Sequence, residues 1–541
     1  MIRYNVESLS NGCFEGLAKI KTVDLKNYPF VNNSMYMAFS RCKNLTSVVN
    51  INNNVINAEV SFQQCNGLTI APSLPDSVQS IRGAFNNCIN LQTVPSLPAN
   101  LVNMTEAFYN CTNLQTVPTI PSGVTNMDNS FFNCQKLSAS VSLPSSVVHL
   151  NQTFYQTNIA TFPTIPSNVV YMGYTFSGCK NTKGNPTIPS SVTFMPGTFL
   201  NCSNLTASPT IPSGVTNMSS CLAYTGITVA PTLPPNLNDV SMCFVNSGIT
   251  VAPTIPETVT LMKGTFQNTG ITTPPSIPGN VTSLQACFHT SNITSAPRIN
   301  HLTNIDGWYG MVGTFANCTK LVSVTSPIPA NAWNLYQTFA LTNISDANCN
   351  YLLSELSGER AVNLYQTFGS CLNLKTPNLT GTNPNCIFEA TFAYCHNLTA
   401  CTLPDGIKNV YSCFEFCEKL KVMPTLPSSV VNIGDICLSC PNLTTASIIP
   451  ANVNMMSYAF YNCPNLTGTI NILSPNVEWM YSAFNGISTA YPGKVKKVYI
   501  PFYYANGVKT KTWNSANSAG YINYGSWYNV TIYDNNLRPE S

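Results

Sequence analysis

The sequence predicts a repeat solenoid, a fold in which short units, here called coils, stack on one another and share a core. The first observation is a tandem repeat: residues 91–113 read LQTVPSLPANLVNMTEAFYNCTN and residues 114–136 read LQTVPTIPSGVTNMDNSFFNCQK. The second is an aromatic residue that recurs at steps of 22 or 23 residues through most of the chain. Because a unit this short cannot bury a core alone, it must stack on its neighbours.

The recurring aromatic defines one reference point per coil, here called the phase position. Apolar residues also recur four and seven residues before it, as Met104 and Leu101 do before Phe108. Stacking turns each row into a ladder of core side chains, so these residues are predicted to be structural and not a cofactor site. Roughly twenty coils follow from this spacing. Their phase positions are Phe39, Phe62, Phe85, Phe108, Phe131, Phe154, Phe176, Phe199, Leu222, Phe244, Phe266, Phe288, Phe315, Phe339, Phe368, Phe392, Phe414, Cys437, Phe460 and Phe484.

Cysteines recur at one place in the coil, three residues after the phase position. In other coils a threonine or serine stands there, as Thr157 does, and such residues share with cysteine the ability to hydrogen-bond the backbone but not its redox chemistry. The exchange predicts a ladder of buried thiols and not disulfides. Thirteen of the 22 cysteines form the ladder: Cys42, Cys65, Cys88, Cys111, Cys134, Cys179, Cys202, Cys318, Cys371, Cys395, Cys417, Cys440 and Cys463. The exchanged residues are Thr157, Thr225, Ser247, Thr269, Ser291 and Thr342.

The cysteine spacing gives little support for a metal site. Cys437 and Cys440 form a CxxC, but they occupy the phase and ladder positions of one coil. No second pair at ligand spacing completes a zinc site. Neither a metal nor a cofactor is therefore predicted.

The consensus L-x-x-V-P-x-[IL]-P-x-x-V-x-x-[MI]-x-x-x-F-x-x-C-x-N closely resembles the Treponema-type, BspA-like leucine-rich repeat over about residues 10–490. The resemblance implies a right-handed solenoid with a parallel sheet on one side. It also implies a bacterial, protist or phage surface protein that acts in adhesion and recognition without catalysis. One departure is a second proline, as at Pro95 and Pro118, which removes a ladder donor and predicts strands of about three residues.

The residue between the two prolines is nearly always serine or threonine. Its flanking apolar residues are expected to point inward, so alternation along a strand turns the hydroxyl outward. Two interpretations stand: a polar, strand-compatible surface, or a hydroxyl-lined face suited to glycans. The row comprises Ser73, Ser96, Thr119, Thr164, Thr187, Thr210, Thr232, Thr254 and Ser276.

Breaks in the pattern divide the chain. We predict N-terminal capping coils at 1–38, regular solenoid at 39–297, irregular repeats with insertions at 298–390, regular solenoid at 391–493 and an aromatic-rich C-terminal cap at 494–541.

The irregular stretch is the first candidate for a recognition site, because insertions in solenoids emerge on one face and often bind a partner. Its candidate ligand-binding residues are Arg298, Trp308, Tyr309, Trp333 and Tyr336. The alternative is that these residues merely pack on the coil below. A short helix is also predicted here, with a serine or aspartate cap at 345 or 346 and a glycine stop at 358.

The end of the chain drops the repeat. Lys496–Ile500 and Val530–Tyr533 alternate like strands, with loop or helix between them. The segment is predicted to cover the last coil, as terminal repeats require. A binding tip is the alternative, since tyrosine and tryptophan are favoured at interfaces.

Composition bounds the function. Charged residues make up only 8% and the net charge is +3, with no basic stripe, so nucleic acid is not an expected partner. No apolar run reaches the roughly twenty residues of a membrane span, and no signal peptide is visible. The four histidines lie near no recurring acid pair, and known catalytic motifs are missing, so no enzyme and no catalytic residue is predicted.

These observations leave two hypotheses. The first is a recognition protein on a phage virion or a bacterial cell surface that binds host proteins or glycans. The second is a purely structural part of a virion or envelope, with other virion proteins as partners and the solenoid as a spacer.

Overall fold

A computed structural model describes most of the chain. The described residues are 7–299, 302, 310–324, 326–329, 332–356, 361–467, 469–474, 477, 479–484, 486, 496–500, 503–505, 508–511 and 530–534. They belong to two compact units: unit 1 is Met1–Leu261 with Asn268–Gly270, and unit 2 is Met262–Gln267 with Ile271–Ser541.

Unit 1 begins with two short parallel strands. Strand β1 (Thr22–Asp24) pairs with β2 (Ser47–Val49), and a 3-10 turn at Val31–Asn33 lies between them. In the coils that follow, single parallel bridges replace strands. One row of bridges lies five residues before the phase position and runs through Ser34, Asn57, Ser80, Asn103, Asn126, His149, Tyr171, Phe194, Asn217, Asp239 and Leu261.

Unit 2 repeats this plan and adds the predicted helix. Helix α1 (Asp346–Ser354) starts at Ser345, whose hydroxyl accepts a hydrogen bond from the Asn348 N–H. Bridges five residues before the phase position again join successive coils, as between Asn409 and Asn432. The predicted helix and its serine cap are confirmed, whereas the predicted stop at Gly358 lies outside the described residues.

The last elements of unit 2 form small sheets. Strands β3 (Thr469–Asn471), β4 (Lys496–Ile500) and β7 (Val530–Asp534) make a parallel sheet in the order β3-β4-β7. Strands β5 (Tyr503–Ala505) and β6 (Val508–Lys511) form an antiparallel pair. Both strands predicted in this segment are present, and whether it caps the coils or binds a partner stays a prediction.

The expected strand through the two prolines is absent, and that part of the prediction is wrong. All nine hydroxyl residues between the prolines are exposed as expected, but none lies in a strand or bridge. The bridges lie instead at Thr93, before Pro95, and at Asn103, after Pro98. Since neither proline has an N–H, the segment between them offers the neighbouring coil too few donors for a ladder.

The phase residues form the centre of the core. Phe85, Phe108 and Phe131 are at most 1% exposed. Their rings stack with centroid distances of 5.5 and 5.7 Å and interplanar angles of 2° and 3°. The series begins at Phe14, which stacks on Phe39 at 5.0 Å, so the N-terminal segment already contains a coil. Aromatic stacking thus adds to simple burial in holding coils in register.

Backbone hydrogen bonds alternate in direction along each coil. The N–H groups of Glu106 and Phe108 donate to the carbonyls of Asp128 and Ser130 in the next coil, each at 2.9 Å. The N–H of Ala107, which lies between them, donates to the carbonyl of Met104 at 3.0 Å within its own coil. Every second N–H therefore joins coils and the others close tight turns.

These turns require positive φ at two positions in each coil, two residues before and two residues after the phase position. Glu106 has φ 56° and Asn110 has φ 59°. Asparagine tolerates this left-handed region better than most residues, which explains its frequency at the second position. Asn110 also donates to Asn87 and accepts from Asn133, both at 2.6 Å, so the side-chain amides form their own ladder.

The asparagine in the C-x-N-L segment has a different role. Asn90 and Asn113 donate through Nδ2 to the carbonyls of Asn66 and Ile89 in the preceding coil, at 2.9 and 2.7 Å. The side-chain amide therefore donates to a carbonyl oxygen that the turn leaves without a backbone donor. Residue type at this place follows from hydrogen bonding and not from surface polarity alone.

We expect Phe108→Ala to lower the free energy of unfolding by about 3–5 kcal/mol, because it leaves a cavity within the aromatic ladder. Phe108→Leu is the matched control: Leu222 occupies the phase position naturally, and the loss should stay below about 1.5 kcal/mol. Urea unfolding of the full chain measures both. Equal losses in the two variants would contradict the ladder.

We expect Leu341→Asn to raise the free energy of unfolding by about 0.5–1 kcal/mol, because Leu341 is exposed and has φ 57°. Leu372→Asn is the control, since Leu372 is exposed to a similar extent without positive φ. Its effect should stay within about 0.5 kcal/mol. Thermal unfolding followed by circular dichroism compares the two, and a destabilised Leu341→Asn would argue against strain at this position.

Candidate functional site

The predicted cysteine ladder consists of hydrogen-bond donors. The Sγ atoms of Cys88 and Cys111 donate to the carbonyls of Phe62 and Phe85 in the preceding coil, at 3.0 and 3.1 Å. Cys134 Sγ makes the same contact to the next phase carbonyl in the series at 3.1 Å. Each thiol therefore ties two coils together.

Burial makes these thiols poor nucleophiles and poor ligands. All 22 cysteines are free thiols, and all but the half-buried Cys13 are buried. Burial raises the pKa of Cys88 well above its usual range and raises the pKa of Cys371 to about 11. The thiolate is the reactive form, so these groups stay protonated at neutral pH. Among the residues that the structure describes, no group of three or more His, Cys, Asp or Glu could hold a metal ion.

Threonine replaces cysteine by a different contact. Thr157 Oγ1 donates to the carbonyl of Phe154 in its own coil at 2.9 Å. Cys179 Sγ, one coil later, reaches the same carbonyl at 3.0 Å. Both side chains donate to one carbonyl. A cysteine at this place therefore joins its coil to the preceding one, whereas a threonine bonds within its own coil.

A second row of cysteines escaped the sequence reasoning. Cys221, Cys243, Cys287 and Cys413 lie directly before the phase position and are buried. Small residues occupy this place in other coils, as at Ser130, whose hydroxyl donates to a carbonyl of the preceding coil. The signal was present, because this place holds a small residue in nearly every coil.

We expect stability to fall in alkaline solution. A buried thiol with a raised pKa keeps its proton in the folded chain, whereas the unfolded chain releases it near pH 9. The contribution is therefore complete below pH 9 and is lost as pH rises towards about 11 for Cys371. The loss is about 1.4 kcal/mol per pH unit for each such thiol within that window.

The measurement is urea unfolding of wild type and Cys371→Thr at several pH values from neutral to strongly alkaline. The variant should lose less stability above pH 9, because threonine does not titrate there. Slopes are compared and not absolute stabilities, so any packing loss in the variant cancels. Parallel curves for the two proteins would contradict the prediction.

Three of the five predicted ligand-binding residues lie among the described residues. Trp308 and Tyr309 lie outside the described residues. Arg298 is exposed and Trp333 is half-buried. Tyr336 is half-buried.

Tyr336 belongs to a run of aromatic and acidic side chains on unit 2, here called the aromatic–acidic face. Its members occupy four rows, which lie three and two residues before and one and two residues after the phase position. They are Tyr336, Tyr365, Glu389, Tyr394, Tyr411, Glu415, Phe416, Asp435, Tyr458, Tyr461 and Tyr481.

The rings of the face pack against rings of neighbouring coils. Tyr336 and Tyr365 stack with centroids 5.3 Å apart and an interplanar angle of 3°. Tyr394 and Phe416 stack at 4.7 Å and 6°, and Tyr394 remains 38% exposed. Coil stacking thus converts single aromatic residues into ordered pairs at the surface.

Carboxyl groups lie among these rings. Asn409 Nδ2 donates to Glu389 at 2.6 Å. The hydrogen bond between the Tyr411 hydroxyl and Asp435 raises the pKa of Tyr411 to about 12. Burial raises the pKa of Glu415 and of Asp435 above their ordinary values. Glu415 and Asp435 are therefore partly desolvated, and a hydrogen bond holds each of Glu389 and Asp435 in position.

The face contains no positive charge. Its four rows between residues 334 and 486 include no lysine, arginine or histidine, whereas the same rows of unit 1 include Arg41 and Arg82. Two contacts between basic and acidic side chains are found among the described residues, the ion pair of Arg41 with Glu15 and the contact of His396 with Glu418, and both lie outside it. The face therefore combines exposed aromatic area with negative charge.

Sequence reasoning found one end of this face and missed most of it. Tyr336 lies in the predicted irregular stretch, but the face continues to Tyr481 through coils predicted as regular. The available signal was tyrosine and phenylalanine recurring at fixed offsets from the phase position. Those outward offsets vary between coils, so they did not stand out as the inward rows did.

The stacked coils, their single parallel bridges and their ladders of apolar side chains define a leucine-rich-repeat solenoid. The chain belongs to the family described as "BspA type Leucine rich repeat region". That family's model matches six times, at residues 1–72, 59–183, 164–250, 192–321, 240–358 and 365–490. No curated protein matches.

Several solved structures are similar to this chain. A leucine-rich repeat protein from Bacteroides ovatus is 18% identical, with 84% of this chain and 88% of that chain covered and a TM-score of 0.29. The T. pallidum leucine-rich repeat protein is 29% identical, with 27% and 70% covered and a TM-score of 0.25. A leucine-rich cell surface protein from Faecalibacterium prausnitzii is 23% identical, with 61% and 86% covered and a TM-score of 0.33.

Surface proteins of the BspA-like family are generally recognition or adhesion proteins, and the leucine-rich repeat family is generally non-enzymatic. BspA-like proteins are typically found at the cell surface. Within the part of the chain that the structure describes, no helix has both the length and the apolar character to cross a bilayer.

Proposed function

We propose that this chain is a non-enzymatic recognition protein that binds a protein or glycan of a host surface. Its place is the surface of a bacterial cell or of a phage particle. The observation that carries the proposal is the aromatic–acidic face of unit 2. The family's general role in recognition and adhesion agrees with it.

The composition of the face supports binding. Tyrosine, phenylalanine and tryptophan are enriched in the buried centre of protein interfaces, where a few such residues supply most of the affinity. Tyr394 and Tyr411 are each more than a third exposed. Serine or asparagine occupies these rows in other coils, so the fold itself does not require aromatic rings at these places. The face is also ordered before binding, which reduces the entropy lost on association.

The chemistry of the described residues offers catalysis little support. The thiols are protonated and buried, and the carboxyls of the face hydrogen-bond to neighbouring amide or hydroxyl groups. A general base needs a pKa near the working pH and reach to a substrate proton. We therefore propose binding without turnover.

A purely structural role in a virion or envelope is the second candidate. The stacked phenylalanines and the thiol ladder favour it, because they join coils through the core without any exposed partner. In that role other particle proteins would be the partners. The two candidates differ in whether the isolated protein binds cells.

We expect fluorescently labelled full-length protein to bind the surface of bacterial cells, and we expect Tyr394→Asn with Phe416→Asn to weaken that binding about tenfold or more. Loss of two clustered aromatic anchors typically costs this much. Both residues have positive φ, which asparagine adopts readily, so the variant should fold. Flow cytometry over a concentration series gives the apparent affinity.

Tyr224→Asn is the matched control, because Tyr224 occupies the same row in unit 1, has positive φ and is 50% exposed. It should bind cells like wild type. Binding that is equal in all three proteins would move the site away from the face. Wild type that binds no cells in a broad panel would favour the structural role.

A further inference from the structure

We infer that the aromatic–acidic face docks a cationic segment of a partner protein, with lysine or arginine side chains meeting its carboxyls and apolar side chains meeting its rings. This inference rests on the proposed function and narrows it from proteins or glycans to basic proteins. The partner is defined by charge and apolar character, not by sequence.

The arrangement of the rings argues against a glycan. A sugar that stacks on an aromatic residue needs one broad ring face open to it. In the pairs Tyr336–Tyr365 and Tyr394–Phe416, rings of successive coils stack nearly parallel, so their faces point along the stack of coils and their edges point to solvent. Tyr458 packs edge-on against both Tyr461 and Tyr481, at 5.6 and 5.1 Å. Such clusters offer edges and hydroxyls, which suit irregular protein side chains better than flat sugar rings.

Charge complementarity points to a basic partner. Glu389, Glu415 and Asp435 lie on three successive coils, with Glu415 on the middle one. Between residues 334 and 486, the four rows that hold them carry no lysine, arginine or histidine. An arriving cation would therefore meet several negative charges and no competing positive one.

Two of the carboxyls are also held in position to accept hydrogen bonds from such a cation. Asn409 fixes Glu389 and the Tyr411 hydroxyl fixes Asp435 by hydrogen bonds, which leaves further acceptor positions on each carboxylate. Because the groups are half-buried, an ion pair formed there is screened less than one at an open surface. Arginine, which binds carboxylate through two parallel N–H groups, fits this arrangement well.

Recognition by side chains is expected because the backbone here is already committed. The N–H groups of Tyr394 and Phe416 donate to carbonyls of the next coil at 2.8 Å each. A partner strand therefore finds no open donors at these residues. Specificity must come from the rings and the carboxyls.

The test uses the full chain and a fluorescein-labelled peptide of alternating lysine and leucine, with an otherwise identical glutamate–leucine peptide as control. Fluorescence anisotropy measures affinity for wild type, for Glu389→Gln with Glu415→Gln and Asp435→Asn, and for Tyr394→Asn with Phe416→Asn. The first variant keeps side-chain shape and removes charge. Thermal unfolding verifies that each variant is folded, and Tyr224→Asn again serves as the control in unit 1.

We expect the lysine peptide to bind wild type and Tyr224→Asn equally, and to bind each face variant at least about tenfold more weakly. The glutamate peptide should not bind measurably. Higher salt should weaken the lysine peptide's binding to wild type more than its binding to the charge-neutralised variant. Lysine-peptide binding that is unchanged by charge removal would overturn the inference, as would its absence with wild type.

Cell binding separates this failure from that of the proposed function. Wild type that binds cells but not the lysine peptide refutes only the cationic partner. Cell binding that survives trypsin treatment of the cells but is lost on periodate oxidation identifies a glycan and also refutes it. Absence of both peptide and cell binding counts against the proposed function as well.

Discussion

The alternation of backbone hydrogen bonds between and within coils is the constraint on which the rest of the structure depends. Half of the N–H groups near the phase position reach the next coil, and the other half close turns. Such a backbone needs positive φ twice per coil, small side chains directly before the phase position and an apolar side chain at that position. Asn110 has the positive φ, Ser130 is the small side chain and Phe108 is the apolar side chain that this backbone requires.

The same constraint fixes the outward side chains. A residue at a given offset from the phase position stands beside its equivalents in the neighbouring coils. Tyrosines placed at one offset, as at Tyr336 and Tyr365, therefore stack without any local sequence signal between them. A binding surface can be changed one side chain at a time while the backbone and core remain as they are.

Inward features of the fold could be predicted from the sequence because they repeat. The phase ladder and the exchange of cysteine with threonine follow from recurrence, as does the resemblance to the family. The direction of each thiol's hydrogen bond could not be predicted, because Cys179 and Thr157 reach the same Phe154 carbonyl from different coils. Strands through the prolines were wrongly expected, since two prolines close together remove the donors that a ladder requires.

The candidate site was harder to predict for the opposite reason. Outward residues vary from coil to coil, so Tyr394 and Phe416 look like isolated exceptions to an asparagine or serine row until the coils are stacked. The insertions predicted a site in the irregular stretch, and Tyr336, at one end of the face, lies there. Carboxyls such as Asp435 are few and scattered in the sequence. They can be assigned to a site only when their neighbours in space are known.

The asparagine that closes the C-x-N-L turn has a consequence for how the chain can be produced. Asn44, Asn397, Asn442 and Asn465 each begin the tripeptide N-L-T, the acceptor sequence for N-linked oligosaccharides. In each case the nitrogen that would carry the sugar donates a hydrogen bond to a carbonyl of the preceding coil. A glycan attached before folding would stand between two coils and oppose their stacking. A eukaryotic secretory pathway is therefore a poor environment for this chain, and a compartment without oligosaccharyl transfer is a suitable one.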